Sequence, residues 1–258
     1  MVWRIWGAGP ALVLLHGDAG SWTHWLRNVV PLSHRFRVIV PDMPGYGCSD
    51  MPPEPWSPSS LARIISDGLD AVLEDGGPVA LAGFSFGGII AGHLAALRPG
   101  ITKLILLGAG GMALPPSRPA VRLRRLEPGM DEAATRSVFR HNVGAMMIGD
   151  PDKVDDLAVD LQMENILRAR LRAGSIPASD ALLLAIPHVH AHLYGIWGER
   201  DPFAFPHVAQ RAATLRRFQR DIDFRTVPGA GHWTPYEAAD AVNAALLEFM
   251  SSADDDPA

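Results

Sequence analysis

Short apolar runs bounded by glycine and proline recur along the chain, at lengths typical of buried β-strands. They cover residues 11–15, 37–40, 79–82, 103–107, 193–197 and 224–227. Longer segments with apolar residues at helical spacing lie between them, and the one from Leu61 to Leu73 follows the N-cap sequence Ser-Pro-Ser-Ser. Because parallel strands need crossover connections, this alternation predicts an α/β fold with a mostly parallel central sheet flanked by helices.

One interval, from Met112 to Pro187, breaks the alternation because it contains helical patterns but no convincing strand. The sequence Ala-Leu-Pro-Pro-Ser-Arg-Pro begins it and Ile-Pro ends it, and neither continues a helix. Its best helical patterns cover residues 136–148 and 154–172. Ligand sites of parallel sheets lie at the carboxyl ends of the strands, so an insertion after a central strand would lie over that edge. The predicted parts are a first core part (1–111), a helical cap insertion (112–187), a second core part (188–250) and a disordered acidic tail (251–258).

Composition narrows the classes of protein that this chain can be. Its 258 residues, 48% of them hydrophobic, suffice for one large core. A net charge of -5 gives no basic field for nucleic acid, and the single Cys48 excludes an internal disulfide and fits a reducing compartment. The N-terminus shows no signal-peptide pattern, and no run approaches the roughly 18 apolar residues that span a bilayer. We therefore expect a cytoplasmic protein with a small-molecule substrate and neither a nucleic-acid nor a membrane partner; the oligomeric state stays open.

The strongest chemical pattern is the run from Val79 to Ile90, in which an apolar strand passes through Gly-x-Ser-x-Gly into a helical segment. In this context Ser85 is expected on a sharp strand-to-helix turn with a strained backbone, which exposes its hydroxyl. Gly83 and Gly87 are expected because side chains there would clash as the chain doubles back. The pattern predicts that Ser85 is a nucleophile.

A serine hydroxyl needs a base within hydrogen-bond reach and a group that orients this base. His232 follows a predicted strand in the glycine-flanked loop Val-Pro-Gly-Ala-Gly-His-Trp, and Asp201 follows another in Trp-Gly-Glu-Arg-Asp. Glu199 is an alternative carboxylate, and Asp201 has a purely structural reading as a turn-capping residue. Both carboxylates lie between Ser85 and His232 in the chain, so their order leaves the two alternatives open.

These motifs together carry a family resemblance. They are His16-Gly-Asp-Ala-Gly20, Asp42-Met-Pro-Gly-Tyr-Gly-Cys-Ser49, Gly83-Phe-Ser-Phe-Gly87, Trp197-Gly-Glu-Arg-Asp201 and Gly229-Ala-Gly-His232. Over essentially its whole length the chain resembles the α/β-hydrolase superfamily, in particular serine hydrolases with a helical cap. The resemblance implies that Ser85 is the nucleophile, His232 the general base and then acid, and Asp201 the orienting carboxylate. It further implies an oxyanion hole formed by the backbone N–H groups of Phe86 and Asp18, whose side-chain identity would be free, and no cofactor.

Other candidate residues have simpler interpretations. His16 is expected to hydrogen-bond loop backbone rather than act as a second base, and Asp42 to hold its loop together. Trp233, beside the predicted base, is expected to line the substrate pocket, and the alternative is that it only packs the loop. His188, His190 and His192 alternate along a predicted strand edge, but no Cys or carboxylate lies at ligand spacing, so we expect no metal site.

The predicted cap contains basic residues with two possible roles. Arg140 and Asn142 form one group, and Arg168, Arg170 and Arg172 form another. They either form a solvated helix face, which is the default, or reach the pocket and hold a substrate carboxylate.

The resemblance also bears on the reaction. Serine at position 85 argues against relatives that use a carboxylate nucleophile, the haloalkane dehalogenases and epoxide hydrolases. The expected function is that of a carboxylesterase that forms an acyl-enzyme on Ser85. The alternative is a carbon–carbon bond hydrolase for vinylogous diketone ring-fission products, which the chain resembles in its cap, its cap arginines and Gly-His-Trp; Phe84 stands where those enzymes commonly carry Asn. A non-catalytic binding module is a third possibility, disfavoured because all three triad residues are present.

Overall fold

The computed structural model describes residues 1–73, 77–114 and 122–252, and these contain one sheet of seven strands. The strands are β1 (Val2–Trp6), β2 (Ala11–Leu15), β3 (Arg37–Asp42), β4 (Val79–Phe84), β5 (Ile101–Leu107), β6 (His192–Gly198) and β7 (Asp223–Val227). Their order in the sheet is β1-β3-β2-β4-β5-β6-β7, and every neighbouring pair is parallel except β1 and β3. The mostly parallel sheet predicted from the apolar runs is confirmed.

The sequence pattern did not predict β1, although it predicted the other six strands within a few residues. This strand lies at the sheet edge, where it pairs antiparallel with β3. Its residues are half-buried or exposed, and Arg4 interrupts the apolar sequence. A strand of this kind has no continuous apolar run, so periodicity does not detect it.

Helices cover both faces of the sheet. They are α1 (Leu26–Ser33), α2 (Pro58–Val72), α3 (Phe86–Leu97), α4 (Glu132–Met146), α5 (Asp156–Arg168), α6 (Ala181–Ala185), α7 (Val208–Leu215), α8 (Thr234–Glu237) and α9 (Ala239–Ser251). Helices α2, α3, α6 and α7 contribute to the apolar layer on one face, and α1 and α9 contribute to the layer on the other. The predicted N-cap of α2 is present, because the side chain of Ser57 accepts a hydrogen bond from the backbone N–H of Ser60.

The segment between β5 and β6 contains helices and no strand in its described residues. Helix α4 begins before the predicted residue 136 because the carboxylate of Asp131 caps it, and Asp155 caps α5 in the same way. Helix α5 ends at Arg168, short of the predicted residue 172, because Ala169 is extended. The proline-rich start of the predicted insertion lies largely in residues 115–121, outside the described residues.

The C-terminal boundary differs by one residue from the predicted tail of 251–258, because α9 ends at Ser251. Buried Lys103 explains this extension, since its ammonium group donates to the carbonyl oxygens of Phe249 and Ser252 at 3.1 and 2.9 Å. Residues 253–258 of the predicted tail lie outside the described residues. No helix in the described ranges combines the length and the apolar character that crossing a bilayer requires.

Candidate active site

Ser85 lies at the turn between β4 and α3, at the carboxyl edge of the sheet. Its φ of 54° and ψ of -117° place a non-glycine residue in a strained conformation. Side chains beside it would collide with backbone, because a Cβ at Gly83 would lie 2.6 Å from the Cα of Gly88. A Cβ at Gly87 would lie 2.3 Å from the carbonyl oxygen of His16. The glycines therefore let this turn pack directly against the loop after β2.

The structure brings Ser85, His232 and Asp201 together in one hydrogen-bonded chain. The Oγ of Ser85 lies 2.9 Å from Nε2 of His232, and Nδ1 of His232 lies 2.9 Å from Oδ2 of Asp201. Asp201 and His232 are 1% and 5% exposed, so little water competes for these bonds. A carboxylate can only accept, which assigns the proton on His232 to Nδ1 and leaves Nε2 as the acceptor for the serine hydroxyl.

Glu199, the alternative carboxylate, occupies a different position. Its Oε2 accepts a hydrogen bond from the backbone N–H of Gly229 at 2.8 Å, at an exposed site. Asp201 is fixed on its other side, where Oδ1 accepts from the backbone N–H of Phe203 at 2.9 Å. Of the two carboxylates, Asp201 is the one that bonds to the imidazole.

The backbone N–H groups of Asp18 and Phe86 lie in the loop after β2 and at the first residue of α3. Within the described ranges, neither donates a hydrogen bond to another protein group. The side chain of Asp18 does have a specific role, contrary to the expectation that its identity is free. Its Oδ1 accepts from the hydroxyl of Tyr46 at 2.7 Å and from the backbone N–H of Ala173 at 3.3 Å. Burial and the Asp18 carboxylate both raise the pKa of Tyr46.

Two buried histidines support the same loop. His16 behaves as expected, since its Nε2 accepts from the N–H of Met43 at 2.9 Å and its Nδ1 donates to the carbonyl of Gly17 at 2.8 Å. The sequence did not single out His24, whose Nδ1 accepts from the N–H of Gly17 at 3.1 Å. Burial, together with neighbouring His16, lowers the pKa of His24 to about 3. His24 therefore stays neutral and acts as an acceptor.

A cavity of about 530 Å³ opens beside Ser85 and His232. Its wall is mostly apolar and includes Phe139, Val143, Met146, Met147 and Ile166. Besides Ser85, Asp201 and His232, the polar side chains on its wall include those of Asp18, Asn142, Gln162 and Arg211. Among the described residues of this wall, Arg211 is the positively charged one. The cavity size suits a small molecule with a large apolar part.

Trp233 does not line this cavity, so the prediction that it does is wrong. Its side chain is fully buried, and its indole N–H donates to the carbonyl of His24 at 2.9 Å. The ring stacks on Tyr236 with centroids 4.3 Å apart. The loop turns Trp233 inwards because its indole finds both an apolar contact and an acceptor there.

Three of the four arginines singled out in the predicted cap have partners away from the cavity. Arg140 pairs with Asp156, Arg168 with Glu164, and Arg170 donates to the carbonyl of Ser49. Of the two remaining candidates, Asn142 lies on the cavity wall and Arg172 does not. Among the residues described, no group of three or more His, Cys, Asp or Glu side chains is arranged to hold a metal ion.

The sheet order, the strained serine turn and the hydrogen-bonded Ser85, His232 and Asp201 are the features of an α/β-hydrolase fold. The sequence matches the model of the Alpha/beta hydrolase family over residues 12–245. The chain therefore belongs to the alpha/beta hydrolase family.

Comparison with individual proteins agrees with this assignment. The chain is 28% identical to the 2-hydroxy-6-oxo-6-phenylhexa-2,4-dienoate hydrolase of Burkholderia cepacia, covering 95% of this chain and 89% of that protein. A meta-cleavage product hydrolase from Pseudomonas fluorescens IP01 shares its fold, with a TM-score of 0.75, 23% identity, and coverage of 96% and 93%. A thermophilic esterase from Thermogutta terrifontis matches with a TM-score of 0.70, 23% identity, and coverage of 96% and 92%. The two structural matches establish the fold alone, and the relative from Burkholderia cepacia is named as a hydrolase.

Proposed function

We propose that this protein is a serine hydrolase that attacks a carbonyl carbon of a small molecule with Ser85. The observation that carries the proposal is the continuous chain of hydrogen bonds from Ser85 through His232 to buried Asp201, with both distances at 2.9 Å. In this role His232 removes the hydroxyl proton through Nε2 as the serine oxygen attacks. Asp201 holds the imidazole in the required tautomer and stabilises the imidazolium that forms.

The backbone N–H groups of Asp18 and Phe86 are the proposed oxyanion donors. Their availability in the described ranges supports this role, as does the close packing of Gly87 on the loop after β2. Losing one such donor typically costs about 2.7–4 kcal/mol of transition-state stabilisation. After the attack His232 returns its proton to the leaving group, and water then releases the acyl group from Ser85.

Residues 112–187 form the proposed cap over this site. Support comes from α4 and α5, because Phe139 and Val143 of α4 and Gln162 and Ile166 of α5 line the cavity. An apolar wall of this kind excludes water from the reacting carbonyl and strengthens the electrostatic interactions beside it.

Of the two candidate reactions, hydrolysis of a carbon–carbon bond has better support than the hydrolysis of a carboxylic ester that the sequence predicted. The relative with 28% identity over 95% of the chain is named for hydrolysis of a 2-hydroxy-6-oxo-dienoate. In such a reaction Ser85 would add to the ketone carbon, and the bond to the neighbouring carbon would break. The departing carbon would take the proton that His232 holds. Arg211, the cation among the described residues of the cavity wall, suits a substrate that carries a carboxylate.

Carboxylester hydrolysis is the second candidate, and Phe84 is the observation that favours it. Its ring contacts both His232 and His24, with centroids 4.9 and 5.3 Å apart. An apolar side chain therefore stands where the carbon–carbon bond hydrolases commonly have an amide.

The test compares two substrate types under the same conditions. Wild type and Ser85→Ala are assayed with 2-hydroxy-6-oxo-6-phenylhexa-2,4-dienoate and with a short-to-long series of p-nitrophenyl esters. Turnover of the dienoate with a far higher kcat/KM than any ester, abolished in Ser85→Ala, supports carbon–carbon cleavage. Faster turnover of an ester reverses the order of the two candidates, and equal rates in wild type and Ser85→Ala reject Ser85 as the nucleophile.

A further inference from the structure

Glu237 is a buried carboxylate that ends α8 and follows His232 closely in the chain. It is 5% exposed and accepts three backbone hydrogen bonds. Its Oε2 accepts from the N–H of Gly231 at 2.7 Å and from that of Gly149 at 2.9 Å, and its Oε1 accepts from that of Asp150 at 2.8 Å. Three backbone donors compensate the charge of a group that would otherwise be costly to bury.

These bonds join two segments that are distant in sequence. Gly231 immediately precedes His232, whereas Gly149 and Asp150 follow α4 in the helical segment between β5 and β6. The two segments also bond directly, since the N–H of Trp233 donates to the carbonyl of Met147 at 2.7 Å. Met147 lies on the cavity wall. One carboxylate therefore connects the loop of the imidazole to the wall of the substrate cavity.

The two backbones touch without intervening side chains. A Cβ at Gly231 would lie 2.4 Å from the N atom of Gly149, and a Cβ at Gly149 would lie 2.7 Å from the N atom of Gly231. Real Cβ atoms essentially never come this close to other atoms. Oε2 of Glu237 accepts from both N–H groups at this contact and so bridges the two segments.

We propose that Glu237 is a positioning residue, which holds His232 in register with Ser85 and fixes the cavity wall relative to the imidazole. This inference rests on the proposed function, because it assigns Glu237 a role through His232. Glu237 acts on the backbone of Gly231 and touches no reacting atom. Misplacement of a catalytic group by about 1 Å can reduce a rate about 100-fold, so a small loop displacement has a large effect.

The variant Glu237→Gln tests this role with almost no change in volume. An amide offers one oxygen and an NH2 group, so at least one of the three backbone N–H groups must face another donor. We expect kcat per active site to fall roughly 10- to 100-fold. Active sites are counted by complete labelling with a fluorophosphonate, so that misfolded protein does not contribute. Glu237→Asp keeps the charge and both acceptor oxygens on a shorter side chain and should recover part of the rate.

Glu199→Gln is the matched control. Glu199 bonds to the same loop through the single N–H of Gly229, at an exposed site. Its removal should leave the rate per labelled site near that of wild type. A purely structural role for Glu237 would lower the melting temperature while kcat per labelled site stayed at the wild-type value, and that result would overturn the proposal.

Amide hydrogen exchange provides a readout that does not depend on activity. Exchange of residues 147–150 and 229–233 is compared in wild type, Glu237→Gln and Glu199→Gln, or in Glu237→Asp if Glu237→Gln does not fold. Loss of Glu237 should raise exchange in both segments together, whereas Glu199→Gln should affect only the region of Gly229. If wild type neither reacts with the fluorophosphonate nor hydrolyses a substrate, the proposed function fails. Unchanged exchange in the Glu237 variant would separately reject the proposal that Glu237 connects residues 147–150 to residues 229–233.

Discussion

Gly108, the residue after β5, faces the imidazole of His232. A Cβ at Gly108 would lie 3.2 Å from both Nδ1 and Cε1 of the ring, and 3.4 Å from Oδ2 of Asp201. The φ of Gly108 is 54°, a left-handed value that favours glycine. The side chains of Asp201 and His232 therefore pack directly on the backbone of Gly108, where a larger residue would crowd their hydrogen bond.

Gly108→Ala should impair both activity and stability. The added methyl group displaces the imidazole by a few tenths of an ångström, and we expect kcat/KM to fall about tenfold or more. A left-handed alanine costs about 1–2 kcal/mol, which corresponds to a melting temperature lower by roughly 2–8 °C. Steady-state kinetics and thermal unfolding measure the two effects. Gly100→Ala is the control, because its Cβ would meet nothing within 4 Å; equal losses in both variants would argue against this contact.

His24 should make the protein sensitive to acid. Burial and neighbouring His16 lower its pKa from 6.5 to about 3 in the folded protein. The unfolded chain therefore binds an additional proton between these pH values, so the free energy of unfolding falls as pH falls from about 6.5 towards 3. Above that window His24 is neutral in both states and adds no pH dependence.

His24→Asn keeps an acceptor oxygen near the N–H of Gly17 but removes this titration. We expect lower stability than wild type at pH 7, because the ring packs against Phe84 and Trp233, and a shallower loss of stability below pH 6.5. Urea unfolding at a series of pH values measures the slope. His34→Asn, at an exposed position, should retain the wild-type slope; the same slope in His24→Asn would show that His24 does not cause the acid sensitivity.

Arg211 should support the loop that carries Asp201. Its buried guanidinium donates to the carbonyl oxygens of Phe203 and His207 at 2.7 and 3.4 Å. Arg211→Lys cannot make both bonds from one nitrogen in the same geometry, so we expect kcat/KM to fall about tenfold. Kinetics with a neutral p-nitrophenyl ester isolate this effect from any contact with a substrate carboxylate. Exposed Arg216→Lys is the control, and a normal rate in Arg211→Lys would contradict the expectation.

Lys103 should matter for stability but not for catalysis. Its ammonium group bonds to the carbonyl oxygens of Phe249, Met250 and Ser252 at the end of α9. Lys103→Met leaves these acceptors without that donor, and we expect the free energy of unfolding to fall by about 1–3 kcal/mol. Urea unfolding measures the loss. A decrease in kcat per labelled site would contradict the separation of this residue from the candidate active site.

The sequence by itself determined the sheet, six of its seven strands and the local setting of the serine. The strands and the serine turn depend on residues that are adjacent in the chain. Apolar periodicity and the glycines around Ser85 therefore suffice to predict these features. The family resemblance of the motifs that carry Ser85, Asp201 and His232 predicted these three residues as a triad, and their side chains form one hydrogen-bonded chain in the fold.

Tertiary structure alone decided how that site is supported. Glu237 accepts hydrogen bonds from backbone N–H groups of distant segments. Gly108 is needed because a Cβ there would crowd the imidazole of His232. The side chain of Trp233 lies in the core instead of on the cavity wall. Backbone groups have the same chemistry at nearly every residue, so a contact between them leaves no distinctive pattern in the sequence. The pairing of the arginines in the predicted cap depends on side-chain directions, which the sequence pattern also leaves open. These features are set by how distant segments approach one another, which only the folded chain specifies.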